Sequence, residues 1–365
     1  MQISSNTTGM DAGLCVATDK EGRDSCVVVV KGTFAVAEDG EVALAEEQVP
    51  LVYADEHYGD PGETCIRYEC DFAPFKPRCD VLLNGSAWAP RGRAAPRITV
   101  GLRVGSVDKS FDVIGERHWR RALLWSYASR PEPFTRLPIT YDRAYGGTDA
   151  SERKPDKVKT FVRNPNGAGY YPRTRGSALE GRPLANTAPR GQGVKRRRSK
   201  RYRPMSFGPM SRNFPERIAW AGTYDQQWLD EHFPFLPPDF DERYFQSAPA
   251  DQQTDHLQGG ELVRCTNLSP DGLFAFRVPE RNVPVVCRFR DREERPEVRL
   301  DTLIVEPDER RFVLVWRTRV ALGRKMHSLH EILVGPRPKP KPQRKRHYPA
   351  IGPFVAHRRA QASRS

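Results

Sequence analysis

The chain has 365 residues, a hydrophobic fraction of 38%, a mean hydropathy of −0.66 and a formal net charge of +13. That length accommodates one large β-rich domain or two domains, and no apolar run approaches the roughly 20 residues of a membrane helix. Seven irregularly spaced cysteines (Cys15, Cys26, Cys65, Cys70, Cys79, Cys265, Cys287) and an N-terminus lacking a basic and an apolar region predict a cytoplasmic protein with reduced thiols, not a secreted disulfide framework.

The first third reads as antiparallel β structure. Val27–Val30 is a continuous β-branched run extending through Lys31-Gly-Thr-Phe34, the pattern of a central strand buried on both faces. Turn chemistry flanks it at Asp19-Lys-Glu-Gly22 and Glu38-Asp-Gly40. Further strands are predicted at Thr64–Tyr68, Asp80–Trp88, Ile98–Val104 and Lys109–Ile114, the last two joined by Gly105-Ser-Val-Asp108. From about Pro131 to Pro215 the chain is aperiodic and rich in Pro, Gly and Arg, which predicts long loops.

Trp220 to Phe245 then concentrates Trp220, Tyr224, Trp228, Phe233, Phe235, Phe240, Tyr244 and Phe245 among charges and the prolines Pro234, Pro237 and Pro238. Thr223 with Gln226, and Asp239 with Glu242, fit two capping boxes, so two short helices are expected, stopped before Pro234 and Pro249. After Gly260 the β pattern returns at Leu262–Thr266, Leu273–Val278, Val285–Phe289, Val298–Val305 and Arg311–Val320. The expected architecture is mainly β: antiparallel sheets packed as a sandwich or barrel, in one body of residues 1–335 with two lobes (1–130 and 216–335) and a loop-rich connector (131–215).

The positive charge is uneven. Nine Lys or Arg and no carboxylate follow Pro336, and seven more (Lys195, Arg196, Arg197, Arg198, Lys200, Arg201, Arg203) form a run without a carboxylate, leaving the rest of the chain slightly acidic. The Pro-cation alternation of the tail 336–365 predicts an extended or disordered segment. Both stretches could attract nucleic acid weakly and non-specifically through phosphate neutralisation, although a solvated loop and tail account for them more simply.

Chemistry-bearing patterns are sparse. No Gly-x-Ser-x-Gly or P-loop occurs. His57, Cys65, Cys70 and Cys79 lie within 23 residues, but their spacing lacks the paired ligands of zinc sites, and packing is the favoured role. Asp225, Asp239, Asp241 and Glu242 beside aromatics allow a β-sandwich glycan hydrolase, weighed against simple caps for Asp225 and Asp239. Large aromatics in cation-containing, Pro-rich segments also make interface anchors, and Trp220, Tyr224, Trp228, Phe235 and Phe240 are the candidates here, in competition with a role in the core.

Several phrases in order carry a resemblance. They include Asn6-Thr-Thr-Gly-Met10, Val28-Val-Val-Lys-Gly-Thr-Phe34, Asp71-Phe-Ala-Pro-Phe-Lys-Pro-Arg-Cys-Asp-Val-Leu82, Val113-Ile-Gly-Glu-Arg-His-Trp119 and Pro138-Ile-Thr-Tyr-Asp-Arg-Ala-Tyr-Gly-Gly-Thr-Asp149. Asn164-Pro-Asn-Gly-Ala-Gly169, Ala221-Gly-Thr-Tyr-Asp225, Pro237-Pro-Asp-Phe-Asp241, Asn267-Leu-Ser-Pro270 and Glu306-Pro-Asp308 continue the set. Over Met1 to about Leu333 the wording resembles a domain family of Gram-negative bacteria encoded beside type VI secretion genes. The resemblance implies a non-enzymatic adaptor or chaperone that loads a toxic effector, often one with a PAAR-type tip domain, onto the secretion spike. It offers no catalytic residues to carry over, and no cofactor and no membrane partner are expected. Lys195–Arg203 and the tail fall outside the shared pattern, and Cys70 and Cys79 stand where small polar residues are expected.

Overall fold

A computed structural model describes residues 2–336 except 124, 152, 153, 155, 156, 194, 196 and 324–327. Arg196 and the tail from residue 337 therefore lie outside the described residues.

The fold is mainly β, as the periodicity predicts. Its centre is a seven-stranded sheet. The strands run in the order Gln253–Thr254, Cys79–Leu83, Arg299–Glu306, Arg311–Ala321, Asp24–Val36 and Asp11–Thr18, and Val42–Leu44 pairs with the far end of Asp24–Val36. A five-stranded sheet contains Thr187–Pro189, Val107–Ile114, Arg97–Val104, Leu262–Thr266 and Leu273–Arg277; a four-stranded one contains Ile3–Asn6, Leu329–Val334, Val285–Phe289 and Glu293–Glu294. Most pairs are antiparallel. Three are parallel among the described residues: Cys79–Leu83 on Arg299–Glu306, Ile3–Asn6 on Leu329–Val334, and Tyr145–Gly146 on Ala168–Gly169.

The run Val27–Val30 explains why the central sheet is covered on both sides. Alternate side chains point to opposite faces. Val28, Val30 and Phe34 join a large core with Val81, Leu303, Phe312, Leu314 and residues of the five-stranded sheet such as Val100, Phe111 and Phe276. Val27 and Val29 enter a second core with Leu51, Val52, Tyr68, Leu82, Ile304, Val313, Val315 and Ala248. Stacked rings at Phe34–Phe312 (5.3 Å) and Phe276–Phe312 (4.1 Å) join the sheets across the first core.

Two expectations need revising. Segments 1–130 and 216–335 do not make separate sheets. Asp24–Val36 pairs with Arg311–Ala321, and Arg97–Val104 with Leu262–Thr266, so both thirds are woven into shared sheets. The predicted four-residue hairpin loop is also tighter: Val104 already pairs with Val107, leaving Gly105-Ser106 as the turn, with Gly105 at φ 54°.

The second face of the central sheet carries polar residues among its apolar ones. Lys31 Nζ meets Asp71 Oδ2 at 2.8 Å, Arg317 Nε meets Asp301 Oδ2 at 2.6 Å, and Tyr68 donates to Glu306. Asp80 accepts from Lys76 Nζ (2.8 Å), Gln246 Nε2 (2.6 Å), and the Ser247 (2.9 Å) and Ala248 (3.2 Å) N–H groups. Burial opposes the Lys76 charge, but the carboxylates of Asp80, Glu69 and Asp301 together outweigh it and raise the ammonium's pKa. Buried charges of this kind are tolerable only when paired. Here their partners lie on the loops that cross this face, so the pairs fix where those loops sit.

Candidate partner-binding face

The aromatic window is part of a wedge from Pro215 to Pro249 attached to this polar face. Arg217 is its inner bolt. It is buried, donates to the Met210 carbonyl (2.9 Å) and twice to the Tyr244 carbonyl (3.0 and 2.9 Å), and meets Glu69 Oε1 at 2.6 Å. Asp80 holds the outgoing chain at Gln246–Ala248. Between these anchors the two halves of the wedge approach closely. Gly222 has φ +81°, and a Cβ there would lie 2.9 Å from Pro237 Cβ, so only glycine fits without a shift.

Two short helices form, as expected; Asp225, weighed as a simple cap, caps the first, but the capping boxes expected at Thr223 and Asp239 do not form. The α-helix Gln226–Glu231 is capped by Asp225, which accepts from the Trp228 N–H at 2.9 Å. The 3-10 turn Glu242–Phe245 is capped by Asp241, which accepts from the Arg243 N–H. Thr223 and Asp239, the expected caps, bond each other across the wedge: Asp239 accepts from the Thr223 N–H (2.9 Å) and hydroxyl (2.8 Å). Those bonds hold the Asp239 carboxyl below its ordinary pKa. Glu242 meets Arg319 at 2.6 Å. The four carboxylates weighed for glycan hydrolysis are thus each engaged in positioning the wedge.

The aromatics divide into two sets. Phe240, 8% exposed, packs with Tyr244 (5.9 Å) and Phe245 (5.5 Å) on the inner side. Trp220 is half-buried beneath the Arg243 guanidinium, 3.3 Å from its ring centre, an arrangement that attracts cation to ring. The outer set faces solvent. Tyr224 is 54% and Phe233 63% exposed, and both meet the half-buried Trp228 edge-on, at 4.8 and 5.7 Å. Trp228 is fixed by its indole N–H, which donates to the Phe235 carbonyl at 2.9 Å. Phe235, also partly exposed, leans on Gly22 of the Asp19–Arg23 turn, and Lys20 Nζ donates to the Pro238 carbonyl at 3.0 Å. The helix Gln226–Glu231 has no buried residue at all.

Of the five expected anchors, then, Phe240 belongs inside and Trp220 lies under Arg243, while Tyr224, Trp228 and Phe235 reach the outer face. Phe233 and Leu229, both exposed, join them. Alternation could not separate these sets, because the segment is mostly loop and has no period. The outer face is bordered by exposed Asp225, Asp230, Glu231 and Asp239. A groove of ≈ 450 Å³ runs beneath the wedge, lined by Lys20, Arg23, Phe240, Phe245 and Arg319 among others.

The remaining candidates are placed elsewhere. His57 Nδ1 lies 2.8 Å from the Thr64 carbonyl, Cys65 Sγ 3.2 Å from Asp142 Oδ2, and Cys70 Sγ 3.2 Å from the Tyr53 carbonyl; Cys79 is buried in the first core. Burial, then Asp142, pushes the Cys65 thiol up to about 12, the opposite of what a thiolate ligand requires. No group of three or more His, Cys, Asp or Glu placed to hold a metal occurs among the described residues. All seven cysteines are free.

The basic run is more structured than a solvated loop. Arg197 Nη1 donates to the carbonyls of Tyr171 and Thr174, and Tyr202 stacks edge-on against Tyr145 at 4.8 Å. Lys195, Arg198, Lys200, Arg201 and Arg203 remain exposed.

No helix among the described residues is long and apolar enough to cross a membrane. No curated protein and no solved structure matches the chain. Residues 21–317 match the family described as "Uncharacterized protein conserved in bacteria (DUF2169)", a span that takes in most of the central sheet and the whole wedge but not the edge strand Asp11–Thr18. The chain belongs to that bacterial family.

Proposed function

We propose that the chain is a non-enzymatic adaptor, acting in the cytoplasm, whose wedge holds a secreted toxic effector for loading onto the type VI secretion spike. The observation that carries this reading is the outer aromatic set: Tyr224, Trp228 and Phe233 stack in the open on a segment whose base is bolted down by Arg217 and Asp80. Large rings held rigidly at a surface lose little side-chain freedom on binding, which suits them to be anchors. The sequence resemblance supplies the class of partner: an effector, often with a PAAR-type tip, encoded beside the adaptor. The acidic border adds a requirement, namely that the cargo surface be apolar and flanked by Lys or Arg.

The test is pull-down of the neighbouring toxin by the full-length chain and by a Tyr224→Ala/Phe233→Ala variant. The adaptor reading expects wild-type capture and at least about 30-fold weaker binding by the variant, since truncating central anchors costs roughly 2 kcal/mol or more. Equal capture by both proteins would remove the wedge from the interface.

A further inference from the structure

A second set of exposed rings lies far along the chain from the wedge, on the hairpin Trp119–Arg121/Ser126–Ala128. Its inner side is firmly seated. Trp119 is buried against Leu179 and Leu184, with Ala128 and Tyr171 packed alongside. Its tip is closed by the Ala122 N–H donating to the Trp125 carbonyl at 2.8 Å. Yet Leu123 is 90% exposed, Trp125 65% and Tyr127 48%. Arg120 stands directly across from Tyr127. Arg120, Arg121 and Arg130 are exposed and make no ion pair among the described residues, and residues 117–131 contain no carboxylate.

The hairpin also borders the basic run. Tyr171, which packs behind Trp119 and Ala128, donates its N–H to the Arg197 carbonyl at 2.8 Å, and the Trp119 N–H donates to the Arg182 carbonyl at 2.9 Å. Arg197 has its pKa lowered by burial and then by the nearby Arg198 and Arg175. These contacts draw Arg175, Arg182 and Arg198, all exposed, around the same small platform.

We propose that this hairpin docks on an anionic phospholipid surface, with Leu123 and Trp125 entering the headgroup–acyl boundary and Tyr127 and the arginines remaining among the phosphates. The chemistry of the tip selects lipid over nucleic acid. Leu123 is its most exposed side chain, and an aliphatic group has neither a ring to stack on a base nor a polar atom to bond one; at a bilayer it gains by leaving water. Trp and Tyr favour the interfacial depth, and unpaired arginines add attraction to anionic headgroups. No long apolar helix is needed for such binding, so it is compatible with there being none among the described residues.

The experiment is cosedimentation of the full-length chain with vesicles of phosphatidylcholine alone and of phosphatidylcholine mixed with phosphatidylglycerol. Binding is expected only to the mixed vesicles and should weaken as salt rises. Leu123→Ser/Trp125→Ser and, separately, Arg120→Glu/Arg121→Glu should each reduce it about tenfold or more with melting unchanged, because all four side chains project into solvent. Failure of the wild-type chain to prefer the mixed vesicles overturns the proposal. So does binding that ignores Leu123 and Trp125. Retention on a single-stranded oligonucleotide that depends on Arg120 and Arg121, without vesicle binding, would assign the face to nucleic acid instead.

Discussion

The wedge and the hairpin both hold aromatic rings in water, but they are built differently. The wedge is a loop-rich insertion whose position is set by buried polar bolts: Arg217 to Glu69, and Asp80 to Lys76 and Gln246–Ala248. The hairpin is a short antiparallel pair seated by Trp119 and Ala128 on Leu179 and Leu184. Their surroundings differ in sign as well. Along the chain, the exposed charges beside the outer wedge rings are Asp225, Asp230 and Glu231, and those beside the hairpin rings are Arg120, Arg121 and Arg130. Exposure of rings is therefore common to two surfaces suited to opposite partners, and the charge around each ring set carries the distinction.

The strongest way to break this comparison is to remove a bolt. Asp80→Ala leaves the Lys76 ammonium buried without its partner and unsatisfies the donors at 246–248. It should cost about 3–5 kcal/mol of stability in urea unfolding, as for other broken buried pairs. A loss under about 1 kcal/mol would mean that the polar face does not hold the wedge. Phe240→Ala should come next, at about 3 kcal/mol, because the ring is buried against Tyr244 and Phe245. Tyr224→Ala and Phe233→Ala should each change stability by only about 0.5 kcal/mol, since both rings already face water. If either of them destabilised the fold as much as Phe240→Ala, the division into inner and outer sets would be wrong.

A pH dependence sharpens the hairpin side. Asp149 accepts from the N–H groups of Ser151, Arg173 and Thr174 and from the Thr174 hydroxyl, in the loop beneath the cationic platform. Burial acts against its charge, but these bonds prevail and lower its pKa to about 2. A depressed carboxyl contributes stability that is complete above the unfolded value of about 3.9 and is lost as pH falls through the folded value. Between about pH 4 and 2 the wild-type chain should therefore lose stability that Asp149→Asn does not lose, because the variant has no proton to take up there. Parallel acid-unfolding curves for the two proteins would refute the assignment.

The strands were legible because period and turn chemistry are local. Val27–Val30 announced a two-face-buried strand, and Gly105 marked a hairpin within one residue of its true turn. What stayed hidden depends on distant pairing. Nothing in Cys79–Leu83 says that it will lie parallel to Arg299–Glu306, more than two hundred residues later, so the interleaving of the two thirds is not legible in local pattern. The wedge was visible as an excess of rings, but its inner and outer sets depend on which side meets the sheet. Thr223 and Asp239 satisfy a cap motif on paper, yet in the fold each is the other's best partner, and Asp225 and Asp241 take the helix ends. The hairpin carries no comparable local signal: only the fold decides that Trp119 is buried while Leu123, Trp125 and Tyr127 face water.

Calorimetric titration of the neighbouring toxin into the wild-type chain and into Phe233→Ala/Tyr224→Ala, each checked by thermal melting, tests the central claim most directly. The account predicts a dissociation constant weakened by about 30-fold or more with a melting temperature close to wild type. An unchanged dissociation constant in a folded variant would contradict it.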